Sequence, residues 1–383
     1  MLIGIDGSRA FISQRTGTEN YAFHLLGELL KLQNNHRFRI YLRLTEGIEE
    51  VAFLNHVRSN LPQMENYELC VIRNKRMWTQ WGLAWELRRR PVDILFVPAH
   101  TLPILMPSRI KSVVTIHDLG YEYLPQYHEF PHKLWLTYFT EYACHHASRV
   151  IAVSEATKED IINKFGVAQS KVQVVYEGFD EDKGIVPSDS RFNEVLAKFG
   201  LSRGQYFIFV GTIQPRKNLK RLIRAFGEIL KKYPEAVLVL AGKKGWMSED
   251  IYSLAEELGI SANVKFLGYV SEEEQRALYS GSVAMTFPSL FEGFGLPIIE
   301  AQALGVPVLT SQKIPMTEVG GEACEYVDPE NEMEIAKGML RLWEEADRRK
   351  YLTEKGLINV GRFSWKTAAQ ETIAVLEEAY DGN

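Results

Sequence analysis

Pro288-Ser289-Leu290-Phe291-Glu292-Gly293-Phe294-Gly295-Leu296-Pro297-Ile298-Ile299-Glu300-Ala301 sets two carboxylates eight residues apart, astride a glycine-rich turn. The apolar run Val283–Phe287 before it reads as a strand. Pro297 suits the first turn of a helix, where its missing N–H is not needed. The stretch is therefore a strand-to-helix loop, at the edge where open α/β sheets bind ligands. Gly293 and Gly295, on either side of Phe294, let the backbone approach a ligand closely. The unpaired amides near Gly295, Leu296 and Ile298, with the helix dipole, form an anion site. Glu300 lies about one turn inside the helix and leans back toward its N-terminus. A carboxylate there accepts paired hydrogen bonds from vicinal hydroxyls, as on a ribose. Glu292 lies on the loop side, nearer the reacting end. A phosphate between two hydroxyl-binding acids is the pattern of a nucleotide-sugar site.

The rest of the chain repeats the strand-to-helix unit. In the first half Leu2–Ile5, Phe38–Leu42, Leu69–Ile72, Ile94–Val97, Val113–Ile116, Val150–Val153 and Val172–Tyr176 read as strands, and Asn20–Leu32, Lys133–His146 and Glu155–Lys164 as helices. The stretch Gly178–Gly204, with Gly184, Pro187 and several aspartates, changes character and reads as a connection holding one short helix near Phe192–Phe199. The pattern then restarts with strands at Phe207–Thr212, Ala236–Ala241, Val264–Leu267, Val283–Phe287 and Val306–Leu309, and a capping box, Ser271-Glu272-Glu273-Glu274. A last helix is expected over Lys366–Tyr380. Alternation of this kind predicts mostly parallel sheets with helices on both faces, hence an α/β protein.

With 383 residues the chain is too long for one ordinary core. Its 46% hydrophobic and 24% charged content is that of a globular protein, and its net charge of −5 gives no global field for nucleic acid. Cys70, Cys144 and Cys324 are widely separated, so neither a disulfide framework nor a cysteine zinc site is expected, and reduced thiols in a cytoplasmic setting are the simplest reading. Met1–Asp6 lacks the features of a signal peptide, and no segment has the length of a membrane span.

Glu292 and Glu300 within PSLFEGFGLPIIEAQALGVPVL resemble the E-x7-E signature of the family 4 retaining glycosyltransferases. Phe209-Val210-Gly211-Thr212-Ile213-Gln214-Pro215-Arg216-Lys217-Asn218 resembles the phosphate-binding loop of that family, and Val114-Thr115-Ile116-His117-Asp118-Leu119 its active-site histidine loop. Ile151-Ala152-Val153-Ser154-Glu155 and Phe363-Ser364-Trp365 also fit. The resemblance covers nearly the whole chain and looks nearest to bacterial mannosyltransferases of O-antigen and capsule assembly. It implies a GT-B fold, two Rossmann-like domains facing each other across a cleft. Residues 1–180, joined by a terminal helix at 366–383, would bind the acceptor. Residues 181–204 would connect the domains, and 205–365 would bind the donor.

The resemblance also implies roles. Lys217 would neutralise the departing nucleoside diphosphate, and cations at a helix start otherwise oppose the dipole. Arg216 would supply the second charge, because Thr212 stands where the family often has arginine. His117 would contact the donor sugar, with Asp118 beside it. Gly17, in Arg15-Thr16-Gly17-Thr18-Glu19, would bring backbone to the diphosphate, although Glu19 stands where a second glycine is common. Lys220, Arg221 and Arg224 read as a solvated face. The expected donor binders are thus Gly17, Arg216, Lys217, Glu292, Gly293, Phe294, Gly295, Leu296 and Glu300. His117, Lys217 and Glu292 are the expected catalytic residues.

The implied reaction is metal-independent transfer of a hexose with retention, to a hydroxyl of a glycan or lipid-linked saccharide. GDP-mannose is the favoured donor, a UDP-hexose the alternative, and no cofactor or metal is expected. An epimerase on the same fold and a non-catalytic nucleotide-sugar sensor are the rivals. A nicotinamide dehydrogenase is disfavoured, since no G-x-G-x-x-G opens a helix. His128-Glu129-Phe130-Pro131-His132 spells H-E-x-x-H, but Pro131 disrupts the helix that a zinc pair needs. Asp180-Glu181-Asp182 reads as a solvated linker. Trp78, Trp81 and Trp85 recur at helical spacing beside Arg73, Lys75, Arg76 and Arg88-Arg89-Arg90. That face is either packed into its domain or approaches an anionic membrane carrying the acceptor.

Overall fold

The computed structural model describes residues 1–12, 17–33, 35–44, 47–73, 77–120 and 132–382. They form two compact units. One contains the residues up to Gly178 together with those from Phe363 onward; the other contains Phe179–Arg362.

In the first unit the strands are β1 Leu2–Asp6, β2 Arg37–Arg43, β3 Tyr67–Ile72, β4 Ile94–Val97, β5 Lys111–Ile116, β6 Arg149–Ala152 and β7 Val172–Val174. They lie in the order β3-β2-β1-β4-β5-β6-β7, and every pair is parallel. Strand β4 is apolar and buried throughout, and β1 is buried from Ile3 onward, as in parallel sheets covered on both faces. The helix Glu155–Phe165 starts where Ser154 Oγ accepts the Thr157 amide at 3.0 Å and ends at Gly166, φ +65°.

The last helix, Trp365–Asp381, belongs to this first unit and packs on the helix Gly17–Lys31 and on β4, β5 and β6. The Trp365 ring stacks on His24 at 5.4 Å between centroids and meets the edge of Tyr21 at 5.8 Å. A Cβ on Gly178 would lie 2.2 Å from the Trp365 backbone nitrogen, so only glycine lets these two segments meet.

The second unit holds β8 Tyr206–Val210, β9 Val237–Ala241, β10 Val264–Gly268, β11 Ala284–Phe287, β12 Val308–Ser311 and β13 Cys324–Val327. Their order is β10-β9-β8-β11-β12-β13, again parallel throughout. Leu222, Ile223, Phe226 and Ile229 of the helix Leu219–Leu230 form one buried face, each side chain stabilising the unit by roughly 1.5–3 kcal/mol.

Three features depart from the sequence reading. Strand β13 has no clear apolar signature, because its Glu325 is buried; Arg341 Nη1 and Arg348 Nε satisfy that carboxylate at 3.2 and 2.8 Å. Residues 181–204, read as a connection, fold into the second unit. Their helix Asp189–Phe199 buries Phe192, Val195 and Leu196, packs on Glu272–Gly281, and pairs Lys198 Nζ with Glu274 Oε1 at 2.6 Å. The three tryptophans do not share a face. Trp78–Leu83 is a π-helical turn, wider than an α turn, which separates Trp78 from the others. Trp78 is buried and its Nε1 donates to the Ile72 carbonyl at 3.3 Å, whereas Trp81 and Trp85 are 56% and 67% exposed. Lys75, Arg76 and residues 128–131 of the H-E-x-x-H stretch lie outside the described residues. Among the described residues no helix is long and apolar enough to cross a membrane.

Candidate active site

In the second sheet β8 and β11 are neighbours, yet the chain leaves β8 toward β9 and β11 toward β12. Ligands of open α/β sheets bind at such a switch point, beyond the carboxyl ends of the strands. The two loops found there are residues 211–218 and 288–295, the two stretches singled out from sequence.

These loops are joined by their own chemistry. The Leu290 amide donates to the Arg216 carbonyl at 2.9 Å. Asn218, at φ +61° between the turn Pro215–Lys217 and the helix after it, donates both Nδ2 hydrogens, to the carbonyls of Pro288 at 3.0 Å and Pro329 at 2.5 Å. Its Oδ1 accepts from Arg221 Nη1 at 2.9 Å. Asn218 was only a letter in the motif. No local pattern marks its role, because its partners lie 70 and 111 residues away.

Lys217 and Glu292 are brought together. Lys217 Nζ donates to Glu292 Oε1 at 2.6 Å, and both side chains are buried. Arg216 Nη1 donates to Glu292 Oε2 at 2.8 Å and to the Phe291 carbonyl at 3.2 Å. The ammonium also lies 4.7 Å from the centroid of the Phe287 ring. Burial alone would raise the Glu292 carboxyl, but the charges of Arg216 and Lys217 and the Lys217 hydrogen bond outweigh it and hold the group below its usual range. Arg216 and Lys217 thus share the one Glu292 carboxylate.

The helix Leu296–Ala303 begins beside the cluster. Gly295 caps it at φ +115°, a conformation that L side chains rarely adopt. Gly293 and Phe294 are buried and Leu296 is half-buried. Glu300 is half-buried, and its Oε2 accepts from Gln275 Nε2 at 2.9 Å. This bond helps to orient the Glu300 carboxylate. Thr212 is exposed, and Arg216 is the arginine beside Glu292.

His117 and Gly17 lie in the first unit. His117 Nε2 is 2.9 Å from the Pro98 carbonyl, which can only accept, so Nε2 carries a hydrogen. Its Nδ1 faces Glu177 Oε1 at 3.1 Å, and one proton bridges that pair. Both ring nitrogens are thus occupied within the unit, which sequence reasoning did not anticipate because Glu177 is 60 residues away. Tyr21 meets the imidazole edge-on at 4.6 Å, and Thr157 Oγ1 donates to the His117 carbonyl at 3.3 Å. The Ser154 and Trp365 motifs therefore build the surroundings of His117. Gly17 opens the helix Gly17–Lys31, and a Cβ there would meet nothing within 4 Å. Asp180 Oδ1 accepts the Asp182 amide at 3.3 Å, capping its own turn.

Residues 193–358 match the family description "Glycosyl transferases group 1", and residues 15–183 match "Glycosyltransferase Family 4". The O-antigen chain mannosyltransferase B of Escherichia coli is 30% identical over 294 residues, 76% of this chain and 75% of its own. The chain belongs to the family 4 glycosyltransferases. This glycosyltransferase is also 30% identical over 241 residues to the D-inositol 3-phosphate glycosyltransferase of Corynebacterium jeikeium, covering 61% of this chain and 58% of that one. Two solved structures share its fold. Anabaena Alr3699/HepE in complex with UDP and glucose has a TM-score of 0.73 at 19% identity, over 98% of this chain and 99% of that one. WaaG, a glycosyltransferase involved in lipopolysaccharide biosynthesis, has a TM-score of 0.70 at 16% identity, over 98% and 99%. The fold is GT-B, and the enzyme is a hexosyltransferase.

Proposed function

We propose that this glycosyltransferase moves a mannosyl group from GDP-mannose, with retention and without a metal, to a hydroxyl of a glycan or lipid-linked saccharide. The carrying observation is the Arg216–Lys217–Glu292 cluster beside the N-terminus of the helix Leu296–Ala303. A diphosphate entering there takes over the hydrogen bonds of both cations and meets the amides of Gly295 and Leu296; the Ile298 amide, expected to be unpaired, donates instead to the Gly295 carbonyl at 2.9 Å. Glu292 is then released toward the sugar hydroxyls, and Glu300 accepts from the ribose. Charge that develops on the departing diphosphate is stabilised by groups already in place, each worth roughly 2.7–4 kcal/mol in sites of this type. In this reading the second unit holds the donor and the first the acceptor.

The name of the Escherichia coli relative favours mannose. The complex of HepE with UDP and glucose makes a UDP-hexose the alternative donor. Incubating the enzyme with GDP-mannose or UDP-glucose, with and without a mannoside acceptor, and following the anomeric signals by NMR tests the reading. Acceptor-dependent nucleotide release with an α-linked product from GDP-mannose is expected. Conversion of the donor sugar without acceptor would indicate an epimerase, and binding without turnover a sensor. A strict need for Mg²⁺ or Mn²⁺ would contradict metal independence.

Contact with a membrane carrying the acceptor is part of the proposal. Trp81, Trp85, Ile104, Leu105, Trp135 and Tyr138 are exposed. Their segments adjoin: Gln80 Nε2 donates to the Leu102 carbonyl at 3.0 Å, Gln80 Oε1 accepts the Ile104 amide at 2.8 Å, and the Tyr142 hydroxyl donates to the Ile104 carbonyl at 3.3 Å. Exposed Arg88 and Arg89 follow one turn after Trp85, giving the patch the charge that an anionic bilayer attracts.

A further inference from the structure

The first sheet has its own switch point. Strands β1 and β4 are neighbours, and the chain leaves them in opposite directions, toward β2 and toward β5. The residues beyond β4 turn sharply there. The His100 amide donates to the Thr115 carbonyl of β5 at 3.0 Å, and His100 itself sits at φ +43°. A positive φ is uncommon outside glycine and costs on the order of 1 kcal/mol, less for asparagine, aspartate and histidine than for other side chains.

His100 carries a second cost. Its Nδ1 is buried and has no hydrogen-bond partner. An unsatisfied buried polar group costs about 1–3 kcal/mol. Strain and an unpaired nitrogen at one residue, at a ligand-binding edge, are what a group kept ready for a ligand shows. The neighbouring His117 is the opposite case. The two rings are 5.6 Å apart, but both nitrogens of His117 are engaged, by Pro98 and Glu177. Burial, reinforced by the charge of His117 and opposed by Asp118, pushes the His100 imidazole well below its usual range, so the ring is neutral. A neutral ring offers Nδ1 as acceptor in one tautomer and as N–H donor in the other. A hydroxyl can answer either, whereas a carboxylate or phosphate answers only the donor form.

We infer that His100 binds a sugar hydroxyl of the acceptor through Nδ1 and contributes to selection of the acceptor. This rests on the proposal that the first unit holds the acceptor. Two substitutions separate the role from mere backbone geometry. His100→Gly relieves the positive φ and removes the imidazole, while His100→Asn also tolerates that φ and returns a polar atom near the place of Nδ1.

The assay uses GDP-mannose, or UDP-glucose if it is the donor turned over, with methyl α-mannoside and methyl α-mannobioside as acceptor probes. His100→Gly should lower kcat/KM for the acceptor about tenfold, the loss of one hydrogen bond, with donor KM unchanged. His100→Asn should recover most of the loss. In the wild type, the ¹⁵N resonance of His100 Nδ1 should shift on saturation with the acceptor probe and not with GDP. This second readout stands even if a variant fails to fold. Wild-type acceptor kinetics in His100→Gly, equal losses for donor and acceptor in both variants, or an Nδ1 resonance indifferent to the acceptor would each overturn the inference. Donor turnover by the wild type checks the underlying reading separately. If no probe elicits nucleotide release, the proposed transfer fails and takes this inference with it.

Discussion

Glu292 is a buried carboxylate whose two neighbours decide its behaviour. Arg216 and Lys217 hold its proton affinity below the ordinary value of 4.5, so folding favours the ionised form. Its contribution to stability is therefore fully present above about pH 4.5 and is lost as pH falls through the lower folded value. Glu292→Gln leaves two cations around a neutral amide and should cost about 3–5 kcal/mol at pH 7. The gap to wild type should narrow on acidification below pH 4.5, as chemical denaturation at pH 7 and pH 3 would reveal; a gap independent of pH would contradict the ion-pair account. Glu300→Ala should act differently, raising donor KM more than it lowers kcat, because the proposed function sets Glu300 against the ribose and away from the breaking bond. Glu292 and Glu300 stand out in the sequence by their spacing around one turn, and Lys217 by its place after a strand, although its pairing with Glu292 spans 75 residues. Glu177, Asn218 and His100 do not stand out. Their significance arises from partners, or a missing partner, that the fold brings from distant segments.

At the scale of the element, the turn Pro215–Lys217 and the stretch 288–295 act as one piece, clamped by Asn218. Asn218→Gly keeps the positive φ but strands two carbonyls, so it should destabilise the second unit by roughly 2–4 kcal/mol, read from the urea midpoint, and weaken donor binding. An unchanged midpoint would show that the clamp is not needed. The tryptophan segment shows what periodicity misses: spacing put Trp78, Trp81 and Trp85 on one face, and a π-helical turn buried the first while exposing the others. A double Trp81→Ser, Trp85→Ser variant should float less with anionic liposomes than wild type, with no change in thermal midpoint. Equal flotation would remove the membrane contact. Strand β13 escaped notice for a related reason, since a buried Glu325 interrupts its apolar run and is made tolerable by two arginines from later helices.

At the scale of the whole molecule, strand-to-helix alternation was sufficient to read two parallel-sheet units, because a parallel sheet buried on both faces needs continuous apolar strands. Where the chain passes from one unit to the other was less legible. Residues 181–204 look like a connection by composition, yet they add a buried helix face to the second unit. The last helix belongs with the first unit because Trp365, Ile373, Val375 and Leu376 are buried there. Ending the chain at Arg362 should therefore speed hydrogen exchange in β4, β5 and β6 while leaving β8–β12 protected; loss of protection in the second sheet instead would contradict this division. The central claim concerns how that second unit serves the reaction, with Lys217 neutralising the departing diphosphate. The most direct measurement is steady-state release of GDP from GDP-mannose by wild type and by a folded Lys217→Ala variant, each with a saturating mannoside acceptor. The account predicts a fall in kcat of about a hundredfold or more in the variant, and turnover equal to wild type would contradict it.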